Sequence, residues 1–452
     1  MIVFAFLFLA DTVTLEQALH MADNNQPVLA QQRALARAAW ARANETRAGL
    51  LPQVNAGGTL GFQTLNRPAN TAIITSTSTV GTAGSGAPSG AAGAGSGQAS
   101  TTNPVSPWQI YDSVNANLTA SQLIIDGWMT PHRLQAARAA ARGQEDTVQA
   151  NRVQIAYNVR TAFYAVLAQK ALLGVAKESI DNIALHLKQV QGFVETGVKS
   201  QIDLAQAKTN YANAKVALIN AENALYTSKA QLNTAIGIER DLEYEVDDID
   251  PAALPQETMS QSQLLDAALA QRPEVAALKQ SIRSAELLVK ADYGAWAPTL
   301  VAQAGFTEQT GYSEANKQPF HPFVWNFNAQ LVLQWNLFNG LLSYEQLKEA
   351  KANQDAAMAQ LAQQRLQVKL EIDAGWLALR AAQQALMASG EALQSAAEQL
   401  HLAQGRYQTG AGSSIELSDA QVAQTAAAAQ KVQAVFNLAA ARALLQKALG
   451  VL

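Results

Sequence analysis

Three carboxylates in this chain sit six to nine residues beyond a glycine: Asp203 after Gly197, and Glu416 and Asp419 after Gly410. Glu416 and Asp419 are three residues apart and so share one helical face. Acids in such positions do two kinds of work. They cap orphan N–H groups and offset the helix dipole, as the boxes Ser200-Gln-Ile-Asp203 and Ser413-Ser-Ile-Glu416 suggest. Gathered around an opening, they also draw cations. Other chemistry is poorly provided for. The five histidines (His20, His132, His186, His321, His401) share no ligand spacing and read as surface or interface residues, so no metal site is expected. Gly84-Ser-Gly86 has no strand before it or helix after it and does not make a phosphate loop. "EYEVDDID" (243–250) lacks the glycine of a calcium loop and reads as a solvated linker. No nucleophile stands near a base in a recognisable pattern. The chain is read as a non-enzyme without cofactors.

Composition narrows the partners. The net charge is −4 and no Lys/Arg run occurs, which argues against nucleic acid. Cysteine is absent, so there are no disulfides and no thiolate chemistry. The opening "MIVFAFLFLA" (1–10) reads as a signal-peptide remnant ahead of a polar, helix-like segment. No run approaches the ~20 apolar residues of a membrane-spanning helix, so any passage through a bilayer must use strands.

The elements that position the acids are written twice. Residues i and i+213 correspond without a gap from Leu118 to Ile238: "LIIDG" (123–127) falls on "NLFNG" (336–340), and "TGVKSQIDLAQA" (196–207) on "TGAGSSIELSDA" (409–420). An earlier piece repeats at an offset of 246, placing Leu19, Pro27 and Pro52 on Leu265, Pro273 and Pro298. The 33 surplus residues of the first copy lie in a Gly/Ser/Thr/Ala tract within 69–107 that cannot build a core. The division is therefore a first repeat over 11–238, a linker over 239–260 and a second repeat over 261–452.

Each repeat reads helix, strand, loop, strand, long helix, turn, helix. Period-2 alternation marks strands at 53–64, 112–125, 299–307 and 323–337. In the last, Trp325, Phe327, Ala329, Leu331, Leu333, Trp335 and Leu337 alternate with polar residues, broken only by Val332. The polar face is Asn, Gln, Thr and Ser with almost no charge, as suits a water-filled lumen opposite lipid. Trp108, Tyr111, Trp296, Phe320, Phe323 and Trp325 cluster near strand ends like an interfacial girdle. Four strands cannot close a barrel, so a membrane reading forces an oligomer.

Long helices are expected over 131–195 and 341–408, with returning helices over 201–237 and 413–450. Val159, Val166, Leu173, Ile180, Leu187 and Val194 recur every seven residues, as do Ile372, Leu379, Leu386, Leu393, Leu400 and Tyr407. A strict heptad imposes left-handed coiling. The returning helices carry small residues at the same period (Ala207, Ala214, Ala221, Ser228, Ala235; Ala420, Ala427, Ala434, Ala441, Ala448), which lets backbones approach. Each repeat thus predicts an antiparallel coiled-coil hairpin.

These features, with "LLPQV" before the first strand and "TG" at both hairpin tips, resemble the TolC family of outer-membrane efflux ducts over about 12–452. The resemblance implies an α+β membrane protein. Its long α-helical coiled-coil barrel continues a transmembrane β-barrel formed by trimerisation, four strands per chain. It implies a Gram-negative outer-membrane location reaching into the periplasm, and a homotrimer held in outer-membrane lipid. It further implies a passive exit duct of a tripartite efflux or type I secretion system, opened by a periplasmic adaptor protein and an inner-membrane pump. A soluble periplasmic coiled-coil adaptor is the alternative. The family implies that Glu416 and Asp419 line the periplasmic constriction and that Asp203 and Tyr407 latch it. Thr196, Gly197, Thr409 and Gly410 then form the adaptor-docking tips. The family's latch arginine falls on Gly412 here, which removes an Arg–Asp link. The same pattern stacks two short helices end to end against each long one, with 11–50 and 201–237 matching 131–195, and puts 239–260 in an equatorial belt.

Overall fold

The computed structural model describes residues 12–66, 108–239, 244–247, 254–313 and 324–451. The signal-like start, the low-complexity loop, Phe320 and Phe323 lie outside the described residues. In chain order the elements are Thr12–Val13 (β1), Leu15–Asn25 (α1), Pro27–Ala48 (α2), Gln53–Asn66 (β2), Trp108–Ile125 (β3), Met129–Glu195 (α3) and Gln201–Ile236 (α4). There follow Glu245–Val246 (β4), Gln261–Gln271 (α5), Pro273–Tyr293 (α6), Thr299–Ser313 (β5), Val324–Gln334 (β6), Leu342–Gln408 (α7) and Ser414–Leu449 (α8). The compact units cut across the duplication. One is helical, drawn from Met1–Thr46, Pro131–Asp292 and Leu341–Leu452; the other holds the sheet, from Arg47–Thr130 and Tyr293–Gly340. Each unit takes material from both repeats.

The sheet is an antiparallel meander in the order β2-β3-β5-β6, and the repeats join through β3 and β5. Its register puts Val54, Leu60, Val114, Leu118, Phe306, Phe327, Leu331 and Leu333 on one face, all exposed in the single chain. The other face carries Asn55, Thr59, Asn115, Asn117, Thr119, Gln303, Asn326, Asn328 and Gln330. Among the side chains described, the acid Glu308 departs from this pattern, standing on the apolar face between Ala116 and Trp325.

The limits of all four strands of this sheet differ from the sequence reading. β6 ends at Gln334, although its alternation runs on to Leu337, because its partner β5 begins at Thr299. The residue before Thr299 is Pro298, which has no N–H to extend the ladder. β2, β3 and β5 run past the ranges of their alternation, because a neighbouring strand sustains backbone pairing after side-chain alternation fades: 64–66 against 108–110 between β2 and β3, and 310–313 of β5 against 111–114 of β3. Ile124 is the extra residue at a register shift in β3. Where strands give way to helices, Tyr293 and Trp296 pack together and the Trp335 indole N–H donates to the Trp296 carbonyl at 3.0 Å. Of these three aromatics the sequence places Trp296 in the girdle and Trp335 in the alternation of the last strand. The side chains of Trp108 and Tyr111 lie outside the description.

In the helical unit α3 and α7 have 67 residues each, about 100 Å at 1.5 Å per residue. α7 and α8 pack closely along their length. All five small seam residues of α8 are buried, whereas Ala214, Ala221 and Ala235 of α4 are only partly covered. Gly375 of α7 sits against Leu445 and Ala448 near the carboxyl end of α8. Val159, Val166, Ile372 and Leu379 from the heptads are essentially inaccessible to water and anchor the two main core clusters.

The stacking of short helices requires correction. Residues 11–50 do not form one helix, because the chain breaks at Gln26 before Pro27, and the second repeat breaks identically at Arg272 before Pro273. A residue ahead of proline is pushed out of the helical region, here to ψ 117° and 124°. α1 packs beside α4, and α5 beside α7 and α8. α4 ends with Gly237 against Asn25 and Gln26, and α8 ends with Gly450 against Arg272. Only α2 and α6, of 22 and 21 residues, therefore continue past those ends. At the junctions Gln26 donates to the carbonyls of Thr234 and Ala235, and Arg272 to those of Ala448 and Lys447. These are the acceptors a helix C-terminus leaves orphaned.

The acidic linker is less solvated than its composition indicates. Tyr244 and Val246 are buried in the core beside α3 and α4, and β4 pairs in parallel with β1. The Tyr244 hydroxyl donates to Asn233 at 2.8 Å, and burial pushes its pKa up to about 12. Further on, the Glu257 carboxylate accepts from the Leu254 N–H, from Arg442 of α8 at 2.7 Å and from Gln383 of α7 at 2.8 Å.

Candidate functional site

The acids singled out by sequence meet at the turns joining α3 to α4 and α7 to α8. Both long helices end in the same way. Gly197 and Gly410 take φ of +77° and +75°, and the next residue's N–H reaches back to Phe193 at 2.8 Å and to Arg406 at 2.9 Å. This is the left-handed termination that glycine permits without a Cβ penalty. Thr196 and Thr409 turn their hydroxyls back onto Gly192 and Gly405, at 3.0 and 3.1 Å. Nothing lies within 4 Å of a Cβ built on either glycine, so space is free and only the backbone angle is demanding. Gly410→Val is expected to cost about 1–2 kcal/mol locally. A lowered urea midpoint with an unchanged helical signal in circular dichroism would show this; an unchanged midpoint would mean that the turn accommodates the side chain without strain.

Beyond the turns the two acids behave differently, although the duplication equates them. Asp203 closes a full capping box with Ser200 and also accepts from the Ser414 hydroxyl at 2.9 Å, tying the start of α4 to the start of α8. The Ser200 and Ser414 hydrogen bonds hold its carboxyl below the ordinary range. Asn210 donating to Ser418 at 2.9 Å repeats that tie further along both helices. Glu416 does not complete its box. Ser413 still caps the Glu416 N–H at 3.1 Å, but the Glu416 carboxylate turns to Arg406 at 3.3 Å. Asp419 is exposed, one turn further along the same face of α8.

Tyr407 is buried with Ala403, Leu417 and Ala420, at 5 % exposure. Its hydroxyl has no partner among the described residues, and Asp203 is satisfied by the two serines. Within one chain, then, Asp203 and Tyr407 are not hydrogen-bonded to each other. Burial, and secondarily the Asp203 charge, raises the Tyr407 pKa. His186 of α3 meets the Tyr407 ring edge-on with centroids 5.2 Å apart, and the Lys199 ammonium lies 4.8 Å from the ring centroid. Gly412 packs against the Arg406–Tyr407 backbone, where an added Cβ would come within 3.1 Å. The guanidinium of this tip is supplied by Arg406 instead.

Sequence reasoning missed Arg406, His186 and Lys199 at the tip. Arg406 stands ten residues before Glu416, across a turn whose closure no periodicity reveals. His186 falls one residue ahead of the heptad position Leu187, and that offset was its only sign of burial.

The family model for outer membrane efflux proteins matches residues 18–238 and 264–451, one stretch for each repeat. The chain belongs to that family. Among its relatives, the toluene efflux pump outer membrane protein TtgC of Pseudomonas putida is 23% identical over 61% of this chain and 56% of its own length. The chain thus spans little more than half the length of that relative. Outer membrane efflux protein BepC of Brucella suis biovar 1 is 21% identical over 77% of this chain and 74% of that protein. In fold the chain is similar to CusC, with a TM-score of 0.75 and 18% identity over 97% of this chain and 92% of that one. It is likewise similar to the Campylobacter jejuni CmeC outer membrane channel, with a TM-score of 0.74 and 16% identity over 96% and 85% of the two chains. The α+β class and the paired helical and β-barrel architecture expected from sequence are those of these channels.

Proposed function

We propose that this efflux-family protein is a homotrimeric outer-membrane channel, the passive exit duct of a tripartite efflux or type I secretion system. The observation that carries this reading is the sheet. β2 and β6 have no second neighbour among the described residues, and apolar side chains such as Leu60, Phe327, Leu331 and Leu333 stand 61–80 % exposed. Open edges and a bare apolar face are untenable in water. Three copies supply twelve strands, enough to close a barrel, and the bare face then meets lipid while the Asn/Gln/Thr face lines the lumen. No helix among the described residues is long and apolar enough to cross a membrane, which leaves that role to the strands.

In this reading Glu416 and Asp419 line the periplasmic constriction, with Asp203 and Tyr407 beside them in the closure. The tips at Thr196, Gly197, Thr409 and Gly410 receive the hairpins of a periplasmic adaptor, which couples the duct to an inner-membrane pump. No cofactor or catalysis is invoked. Deleting 76–104 tests the topology, since that tract has no counterpart in the second repeat. A heat-resistant trimer in the outer-membrane fraction is expected, with Asn66 and Trp108 still paired across a shortened loop. Loss of assembly from a deletion that spares every strand residue would sink the placement of this loop outside the barrel.

A further inference from the structure

We propose that His186 seats Tyr407 at the hairpin tips in its neutral form, and that protonation of His186 releases α3 from α7, so that mild acid loosens the tips. This rests on the tips being the constriction, and extends that reading from which residues close it to what condition weakens it.

His186 is 7 % exposed, and its Nδ1 atom is fully buried without a hydrogen-bond partner among the described residues. The Tyr407 hydroxyl, also buried, is equally unpartnered, so the two polar atoms do not satisfy one another. A neutral imidazole tolerates this arrangement, because the orphan nitrogen is then only a lone pair and the ring packs as a hydrophobic edge. An imidazolium does not. Both nitrogens must donate, and the buried one has no acceptor to meet.

The charges around the ring sharpen the contrast. From the turn after α3, Lys199 bears on His186 with like sign. From α7 the ring faces the aromatic Tyr407, and the nearby α4 carboxylate, Asp203, is already engaged by Ser200 and Ser414. No carboxylate among the described residues bears on His186. Burial first, and the Lys199 charge second, therefore hold its pKa below the ordinary histidine value. Well above that value, about 6.5, neither the packed nor the released seam carries the proton. As pH falls through it, the released seam takes up a proton that the packed seam refuses, and the equilibrium shifts toward release. The shift is at most about tenfold per pH unit for each site.

The test compares the assembled trimer of the wild type with His186→Phe, which keeps an aromatic edge and cannot titrate, and with Lys199→Met. Backbone amide exchange over 180–198 and 396–412, corrected for intrinsic rates, reads the seam directly. Single-channel conductance in planar bilayers reads the opening. Between about pH 7.5 and 5.5 the wild type should show several-fold faster seam exchange and more frequent opening, while His186→Phe stays flat. Lys199→Met should show a weakened response, since part of the bias against the proton is gone. If His186→Phe fails to assemble, His186→Gln, uncharged and polar, serves in its place with the same expectation. Equal acid responses in wild type and variant would overturn the proposal. Seam exchange that follows His186 without any change in conductance would overturn its role in opening, and would move the constriction away from these tips.

Discussion

Arg272→Leu is expected to lower stability by about 2–3 kcal/mol, more than any other single change at the helix junctions. Arg272 is 2 % exposed and does three things at once: it caps the Ala448 and Lys447 carbonyls at the end of α8, fills the break between α5 and α6, and pairs with Glu371 of α7. Removing one partner of a buried ion pair strands the other, typically at a cost of about 3–5 kcal/mol. The figure here is lower because Glu371 keeps one-third of its exposure to water. The duplication supplies an internal control. Gln26 occupies the same place in the first repeat and makes the same two carbonyl contacts without charge, so Gln26→Leu should cost only about 1 kcal/mol. Urea midpoints would separate the two. Equal losses would mean that the Glu371 pairing adds nothing beyond the cap.

The same pair gives stability a pH dependence of known sign. Burial opposes the charge on Glu371, and the Arg272 and Gln367 hydrogen bonds outweigh it, leaving the carboxyl below its ordinary value. Glu257 is depressed in the same way, with burial opposed by the Leu254 N–H and by Arg442. A carboxyl whose folded pKa is depressed contributes fully above the unfolded value of about 4.3, and loses that contribution as pH falls through the folded one. Acid should therefore lower the urea midpoint from about pH 5 downward, less steeply in Arg272→Leu.

What the sequence disclosed and what it hid follow from how far each signal reaches along the chain. Periodicity is local, so the heptads ending in Tyr407 and Val194 and the alternation around Phe327 located the helices and strands. Glycine at a forced backbone angle is local too, and Gly197 and Gly410 marked the tips. The break at Gln26 was also written locally, in the proline that follows, but the apolar pattern on either side concealed it. Contacts across a turn or between helices leave no such trace. Arg406 reaching Glu416, Ser414 reaching Asp203 and His186 meeting Tyr407 each depend on how separate segments are held. Composition misled at the linker: the five acids of 243–250 suggested solvent, yet Tyr244 and Val246 carry that segment into the core.

The largest functional effect is expected from removing the acids of α8. If three copies of Glu416 and Asp419 converge on one axis, six carboxylates face a narrow aqueous opening between walls of low dielectric. Such a constriction draws cations and binds multivalent ones tightly. The pairing of Glu416 with Arg406 divides that work unequally. Its charge is partly answered within the same chain, whereas Asp419 is exposed and has no ion-pair partner among the described residues. Asp419→Asn should therefore abolish most cation selectivity and most block by divalent or trivalent ions, and Glu416→Gln should add little to it. Arg406→Gln should move the other way, freeing the Glu416 charge and deepening the block. The capping alternative predicts a different order, because Ser413 caps the Glu416 N–H in every one of these variants. Loss of a helix-terminal acid would then cost about 0.3–1 kcal/mol of stability and leave the pore indifferent. Planar-bilayer recordings with multivalent ions on the periplasmic side decide between the two. Selectivity that survives Asp419→Asn, or a block that Arg406→Gln leaves unchanged, would return these acids to the ordinary business of ending helices.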